Sequence, residues 1–307
     1  MTWLVILVCF ALICAFPIFL EAQRKTLSPR DRERSSGQFA QLSSGLTHFD
    51  WDGPADGPII VAVHGLTTPA VVWDDIVPAL TAQGFRVLRY DLYGRGFSDT
   101  PNSPQTVGFF VTQLHELLID QGVTAPVTLI GYSMGGSIVT SFAAQQPGQV
   151  SRLILLASAG VEQTTTWFDR VCRDVPVFGD WLFGTFAAGR MRGGHQPNKP
   201  KHIVQIQRFQ LSRRGYLPSV LKSMRGALCE SQKQNHKTVY HAGIPVLAIW
   251  GRVDRTIPLR AMGELARWNR SVEQVDVSDA GHGLPYSHPQ AAGAAILAFL
   301  KQPTMRR

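Results

Sequence analysis

Apolar residues recur along the chain in three patterns. The first is unbroken: Thr2 to Leu20, TWLVILVCFALICAFPIFL, runs 19 positions without a charge, about the length a helix needs to cross a hydrocarbon core. The second is the short apolar run bounded by turn residues. Thr47–Trp51 and Ile59–Val63 flank the turn signal GPADGP, and Phe85–Tyr90, Val127–Ile130, Leu153–Leu156, Val246–Trp250 and Val272–Val277 share their character. Each is read as a strand. The third is apolar spacing of three and four, which predicts a helix over Val107–Gln121. Helices are also expected over Ser137–Gln146, which stops at Pro147, and over Leu259–Trp268 and Pro289–Leu300. Strands alternating with helices, several strands apolar throughout, argue for a mostly parallel sheet covered by helices on both faces.

Residues 161–240 break this rhythm. They are rich in Arg, Gln and aromatic residues, lack a clear buried strand, and carry the breakers Pro176, Gly179, Gly193, Gly194 and Pro197. A helical insertion between two sheet strands is expected there. The same segment holds 13 Lys or Arg against 5 Asp or Glu, while the whole chain carries a net +8, so the remainder is close to neutral. A local basic excess suits anionic lipid headgroups or acidic substrates, and equally a solvated helical surface. No nucleic-acid-binding motif accompanies it, so no nucleic-acid partner is expected. With 307 residues, 45% of them hydrophobic, the chain can bury a substantial core. The expected organisation is an N-terminal membrane anchor over 1–20, a linker rich in Arg, Ser and Gln over 21–45, and a sheet core over 46–160 and 241–303 interrupted by the insertion.

Arg24, Lys25, Arg30, Arg32 and Arg34 follow the first apolar run, which by the positive-inside tendency keeps the downstream domain cytoplasmic. A cleaved signal peptide is the competing reading, but it calls for a positive start and small residues before the cut. The chain instead opens Met-Thr and has no A-x-A site. Cys9, Cys14, Cys172 and Cys229 show no C-x-x-C spacing, so neither a zinc site nor a disulfide framework is expected. A Cys172–Cys229 bridge stays open.

The candidate chemistry starts at Gly131-Tyr132-Ser133-Met134-Gly135. G-x-S-x-G after a strand is a sharp turn that holds a serine exposed for attack. A serine hydroxyl is a poor nucleophile until a base takes its proton, and the base needs a third group to orient it. Asp254 in GRVDRTIP and His282 in DAGHGLPYSHP follow in order, each just after an expected strand. The carboxyl ends of parallel strands share one edge, so the three side chains can meet there. Asp276 and Asp279 near the histidine are rival acids, and Asp254 could instead cap a helix. An oxyanion needs two N–H donors: Met134, after the nucleophile, and Leu66, in AVHGLTT after an early strand. His64 is expected to support that loop rather than react, Asp91 and Arg95 to hold their own loop, and His288 to cap the last helix. Trp167, Phe168, Phe178, Trp181, Phe183 and Phe186 suit an acyl pocket as well as packing of the insertion on the core.

HGL at 64–66, DLYGRGFSD at 91–99, GYSMGG at 131–136, GRVD at 251–254 and GHG at 281–283 together resemble the α/β-hydrolase superfamily over residues 46–300. The resemblance implies the α/β-hydrolase fold with the 161–240 insertion as a helical cap, and serine-hydrolase chemistry that uses no cofactor and no metal. Within the superfamily, SMGG and an N-terminal anchor resemble monoacylglycerol lipase-like esterases. C–C bond hydrolases share much of the pattern but often carry Asn where this chain has Tyr132. Ser133 argues against haloalkane dehalogenases and epoxide hydrolases, which use Asp there. The expectation is a membrane-anchored hydrolase of small carboxylic esters with a lipophilic acyl part. The alternatives are C–C hydrolysis of a dienoic diketone, or a non-catalytic binding protein on the same fold. No oligomeric state can be assigned from these patterns.

Overall fold

A computed structural model describes residues 1–193 and 199–303; the expected breakers Gly194 and Pro197 lie outside the described residues. Eight strands form one sheet: β1 (Gln38–Leu42), β2 (Gly45–Asp52), β3 (Ile59–Val63), β4 (Arg86–Tyr90), β5 (Val127–Tyr132), β6 (Val150–Leu156), β7 (Val246–Gly251) and β8 (Glu273–Val277). Their order is β1-β2-β4-β3-β5-β6-β7-β8. β1 and β2 form an antiparallel hairpin that pairs antiparallel with β4, and the other strands run parallel.

The central strands are apolar throughout because both of their faces are buried, and the period of two sorts their side chains. Val61 and Val63 of β3, Leu153 and Leu155 of β6, and Val246, Ala248 and Trp250 of β7 enter one cluster. That cluster is covered by the helices Val107–Asp120 and Met134–Gln145. Ile60, Ala62, Ile154, Leu156, Leu247 and Ile249 enter the other, beneath the helix Pro289–Leu300. The fold is therefore an α/β-hydrolase arrangement, a mostly parallel sheet between two helical layers.

Three boundaries differ from expectation. Residues 21–45 are not a plain linker: Ser28 and Asp31 form a capping box on the short helix Pro29–Glu33, and Gln38–Leu42 is an edge strand. The strand escapes sequence reading because only Ala40 and Leu42 of its five residues are buried. The helix after β5 begins at Met134, directly after the serine, and not at Ser137. The insertion supplies the helices Trp167–Asp174, Phe178–Gly193, Lys201–Ser212 and Tyr216–Arg225, which share a small core around Cys172, Phe183 and Val220. A fifth helix, Lys233–His241, buries Val239 in the core of the sheet instead, so the inserted unit ends before residue 240. All four cysteines are free.

Thr2–Ala22 is one helix, long and apolar enough to cross a membrane, and none of its residues is buried. Its foot is tied to the insertion. The Lys25 N–H donates to the Ser212 carbonyl at 2.9 Å, and the Arg214 N–H to the Lys25 carbonyl at 2.9 Å.

Candidate active site

β5 runs into the helix Met134–Gln145 through a single residue, Ser133, with φ 52° and ψ −119°. That conformation costs a side-chain-bearing residue on the order of 1–3 kcal/mol, so the surroundings must enforce it. Three backbone bonds do so. The Ser133 N–H donates to the Leu156 carbonyl at 3.0 Å, and its own carbonyl accepts from Gly136 and Ala159 at 2.9 Å each. The flanking glycines follow from crowding. A Cβ at Gly135 would strike the Val63 carbonyl, one at Gly136 the Ser158 hydroxyl, and one at Gly131 the Val139 side chain.

β7 and β8 deliver the other two groups to the same edge. Asp254 lies in the turn after β7, where Oδ1 accepts the N–H groups of Thr256 at 2.7 Å and Ile257 at 2.9 Å. Its other oxygen lies 2.8 Å from His282 Nδ1, and His282 Nε2 lies 3.0 Å from Ser133 Oγ. An ionised carboxylate can only accept, so Nδ1 carries the proton and Nε2 is free to accept from the serine hydroxyl. The Asp254 side chain is 1% exposed and that of His282 24%, so the acid is sealed and the base is reachable. The rival acids go elsewhere: Asp276 pairs with Arg252 at 2.7 Å, and Asp279 is exposed.

The loop after β3 lies against the serine. A Cβ on Gly65 would stand 3.1 Å from Ser133 Cβ. Among the described residues, neither the Leu66 nor the Met134 N–H has an intramolecular acceptor. His64 does not face the reaction. Its Nδ1–H donates to the Gly65 carbonyl at 2.7 Å, its Nε2 accepts the Leu92 N–H at 2.9 Å, and burial pushes its pKa down to about 4.

A family model described as the alpha/beta hydrolase fold matches residues 58–289. The chain belongs to the α/β hydrolase fold family. An uncharacterised protein of Mycobacterium tuberculosis is 37% identical over 141 residues, 46% of this chain and 40% of that relative, so this chain matches less than half of that relative's length. Pimeloyl-acyl-carrier protein methyl ester esterase of Vibrio campbellii is 25% identical over 248 residues, 77% of this chain and 92% of the relative. The crystal structure of the enol-lactonase from Burkholderia xenovorans superposes with a TM-score of 0.72 at 21% identity, covering 86% of this chain and all of that one. The family model establishes the fold, and the esterase activity named for the Vibrio protein is that relative's own.

Within this hydrolase fold, two residues do more than the sequence suggested. The Tyr132 hydroxyl, buried and thereby pushed up in pKa, donates to the His282 carbonyl at 2.9 Å, with the two rings 5.4 Å apart. Its position beside the serine in the motif was the available signal. Arg95 is fully buried without a carboxylate partner among the described residues, and burial pulls its pKa down to about 10. It donates to the Leu66 carbonyl at 3.0 Å, to Gln105 Oε1 at 2.6 Å and to Ser223 Oγ at 2.8 Å. Arg95 thus ties the loop beside the serine to the insertion, beyond its own loop. Asp91 keeps its expected role. Burial pushes its pKa up, but the hydrogen bond and charge of His48 outweigh this and hold it at about 2. His288 precedes the last helix without a side-chain cap bond, because its Nδ1 pairs with Ser287 Oγ at 2.9 Å.

The cap aromatics divide. Phe168 and Phe183 line a cavity of about 200 Å³ whose wall also includes Leu66 and Thr256. Trp167, Phe178 and Phe186 are exposed, and Trp181 donates its Nε1–H to the Ile13 carbonyl of the N-terminal helix at 2.7 Å.

Proposed function

We propose that the protein is a membrane-anchored serine hydrolase of carboxylic esters carrying a lipophilic acyl group, such as monoacylglycerols. The observation that carries this reading is the unbroken chain Ser133 Oγ–His282 Nε2 and His282 Nδ1–Asp254 Oδ2, with the serine in a strained turn. Ser133 Oγ attacks the ester carbonyl carbon while its proton passes to His282 Nε2. Asp254 holds the ring in the right tautomer and balances the imidazolium. The oxyanion is held by the N–H groups of Leu66 and Met134; losing one such donor typically costs about 3–4 kcal/mol of barrier. Collapse expels the alcohol, which takes the proton from His282 and leaves an acyl-serine. Water, deprotonated by the same histidine, then releases the acid and restores Ser133. No group beyond these side chains and backbone donors is required.

The Leu66, Phe168 and Phe183 side of the cavity supports a lipophilic acyl part, the N-terminal helix supports anchoring, and Arg24, Lys25, Arg30, Arg32 and Arg34 after it support a cytoplasmic catalytic domain. A fluorophosphonate probe tests the chemistry, since an activated serine is labelled and an ordinary one is not. A panel of p-nitrophenyl esters and monoacylglycerols tests the substrate class, with kcat/KM expected to rise from acetyl to medium and long acyl chains. Preference for acetyl esters or for a dienoic diketone would overturn the lipid reading.

A further inference from the structure

Outside the site, a groove of about 980 Å³ runs between the N-terminal helix and the inserted helices. Ile13, Pro17 and Ile18 form one wall, and Trp181, Phe183 and Leu217 the other. Glu21 and Arg214 stand at its foot. Phe183 also lines the cavity beside Leu66, so one buried ring, stacked 6.4 Å from Phe168, separates groove from cavity. The N-terminal helix is a fixed wall of this groove and not a free tail. It is bonded to the insertion at Ile13 and Lys25, and Gly184 approaches Pro17 so closely that a Cβ there would come within 2.8 Å of Pro17 Cβ.

The surroundings of that helix decide what fills the groove. Its 21 uncharged or nearly uncharged residues extend over roughly 30 Å, the thickness of a hydrocarbon core, and only Glu21 near the foot carries a charge. The helix's first eight residues lie outside the groove wall, with Trp3, Leu4 and Leu7 exposed. Val177, Phe178 and Phe186 of the insertion are exposed beside the groove. Besides Glu21 and Arg214 at the foot, the groove's charged residue is Asp180, which Arg225 pairs at 2.7 Å, so the otherwise apolar mouth suits the acyl boundary of a bilayer, with Glu21, Arg24 and Lys25 at the headgroups.

We propose that this groove is a lateral entrance through which the acyl chain of a membrane lipid ester passes from the bilayer, past Phe183, into the cavity beside Leu66. The proposal rests on the ester-hydrolase reading above. Cys14 lines the groove and is exposed, which provides a handle. Full-length protein carrying Cys9→Ser and Cys229→Ser is labelled in detergent with a bulky maleimide and reconstituted into phosphatidylcholine vesicles. The readout is the ratio of kcat/KM for 1-oleoylglycerol in the vesicles to that for soluble p-nitrophenyl butyrate. Labelling should lower this ratio by roughly tenfold or more, and the same protein with Cys14→Ala should not respond to the reagent. Phe183→Ala, checked for folding by fluorophosphonate labelling, should raise the ratio, and a ratio unchanged or lowered would remove Phe183 from the passage. A ratio unmoved by labelling at Cys14, with probe labelling normal, would overturn the entrance alone. So would a dimer that the label abolishes while the ratio stays put, which would give the groove to a second copy of the chain. Loss of all ester turnover and probe labelling in the unmodified protein would overturn the hydrolase reading and the entrance with it.

Discussion

At the carboxyl edge of the sheet, the carboxylates and imidazoles of the site are matched to partners one by one. Asp254 uses both oxygens, Asp91 accepts from Ala70, Phe97 and His48, and His64 uses both ring nitrogens. The insertion and the N-terminal helix are built the other way, with Val177 and Phe178 left exposed around a mostly apolar groove. The first region tolerates almost no substitution, because an orphaned buried polar group costs about 1–3 kcal/mol. The second region depends on area and shape, which many residues can supply. On the proposed reading, chemistry belongs to the first region and the choice of substrate to the second, so substitutions in the two should separate cleanly.

The sharpest test of that separation is at the nucleophile. Ser133→Ala should lower ester kcat by on the order of 10⁴ or more and abolish fluorophosphonate labelling, with thermal unfolding little changed, since alanine keeps the Cβ and with it the turn strain. Surviving probe labelling would assign the chemistry to another residue. Asp254→Asn comes next. It favours the wrong histidine tautomer, a change that costs about 10⁴ in kcat in comparable triads, whereas Asp279→Asn, at an exposed carboxylate, should leave kcat within about twofold. The reverse ranking, read from steady-state kinetics on a short soluble ester, would move the acid.

The first region was readable because its constraints are local. Gly131, Gly135 and Gly136 are required by contacts within a few ångströms of the serine, so the spacing of the motif mirrors the geometry. The central strands were equally legible, since burial on both faces leaves an unbroken apolar run. A weaker signal was lost at one edge, where β1 buries two side chains of five, whereas β8, mostly half-exposed, was still read as Val272–Val277. The cap aromatics could not be divided between pocket and packing, because exposure there is set by where the N-terminal helix docks. Arg95 was underrated for a related reason: its partners Leu66 and Ser223 lie 29 and 128 residues away.

Tyr132→Phe probes the boundary between the regions with a smaller effect. The substitution keeps the ring against His282 but removes the hydroxyl that holds its backbone carbonyl. One hydrogen bond of about 0.5–1.5 kcal/mol corresponds to a kcat loss of roughly two- to tenfold. KM for short esters should hardly move, because the hydroxyl bonds the histidine backbone and no substrate group. A loss confined to KM would instead place Tyr132 in the acyl site.

The smallest effect at neutral pH belongs to His236, on the one helix of the 161–240 segment that joins the core. It is fully buried against Trp268, and neither ring nitrogen has a partner among the described residues. Burial pushes its pKa down to about 3, and that of His64 down to about 4, from the ordinary 6.5. A depressed histidine contributes stability that is complete above pH 6.5 and is lost as acid protonates the unfolded chain first. His48, whose pKa is raised on balance although burial opposes this, is protonated in both states at low pH and adds no slope below 6.5. The Asp91 contribution is lost only as pH falls below the ordinary 3.8 toward its value of about 2. Between pH 6.5 and 4, His64 and His236 should therefore contribute a slope of up to two protons, each worth about 1.4 kcal/mol per pH unit, opposed toward the acid end by Asp50 and Asp74, whose pKa values burial raises. His236→Phe replaces the ring without a polar atom to orphan, so stability at pH 7 should stay level or rise, and kcat should be unaffected. Urea unfolding from pH 7 to 4.5 should show the variant losing about one proton of slope. A slope identical to that of the parent would mean that His236 is solvated or paired in the folded protein.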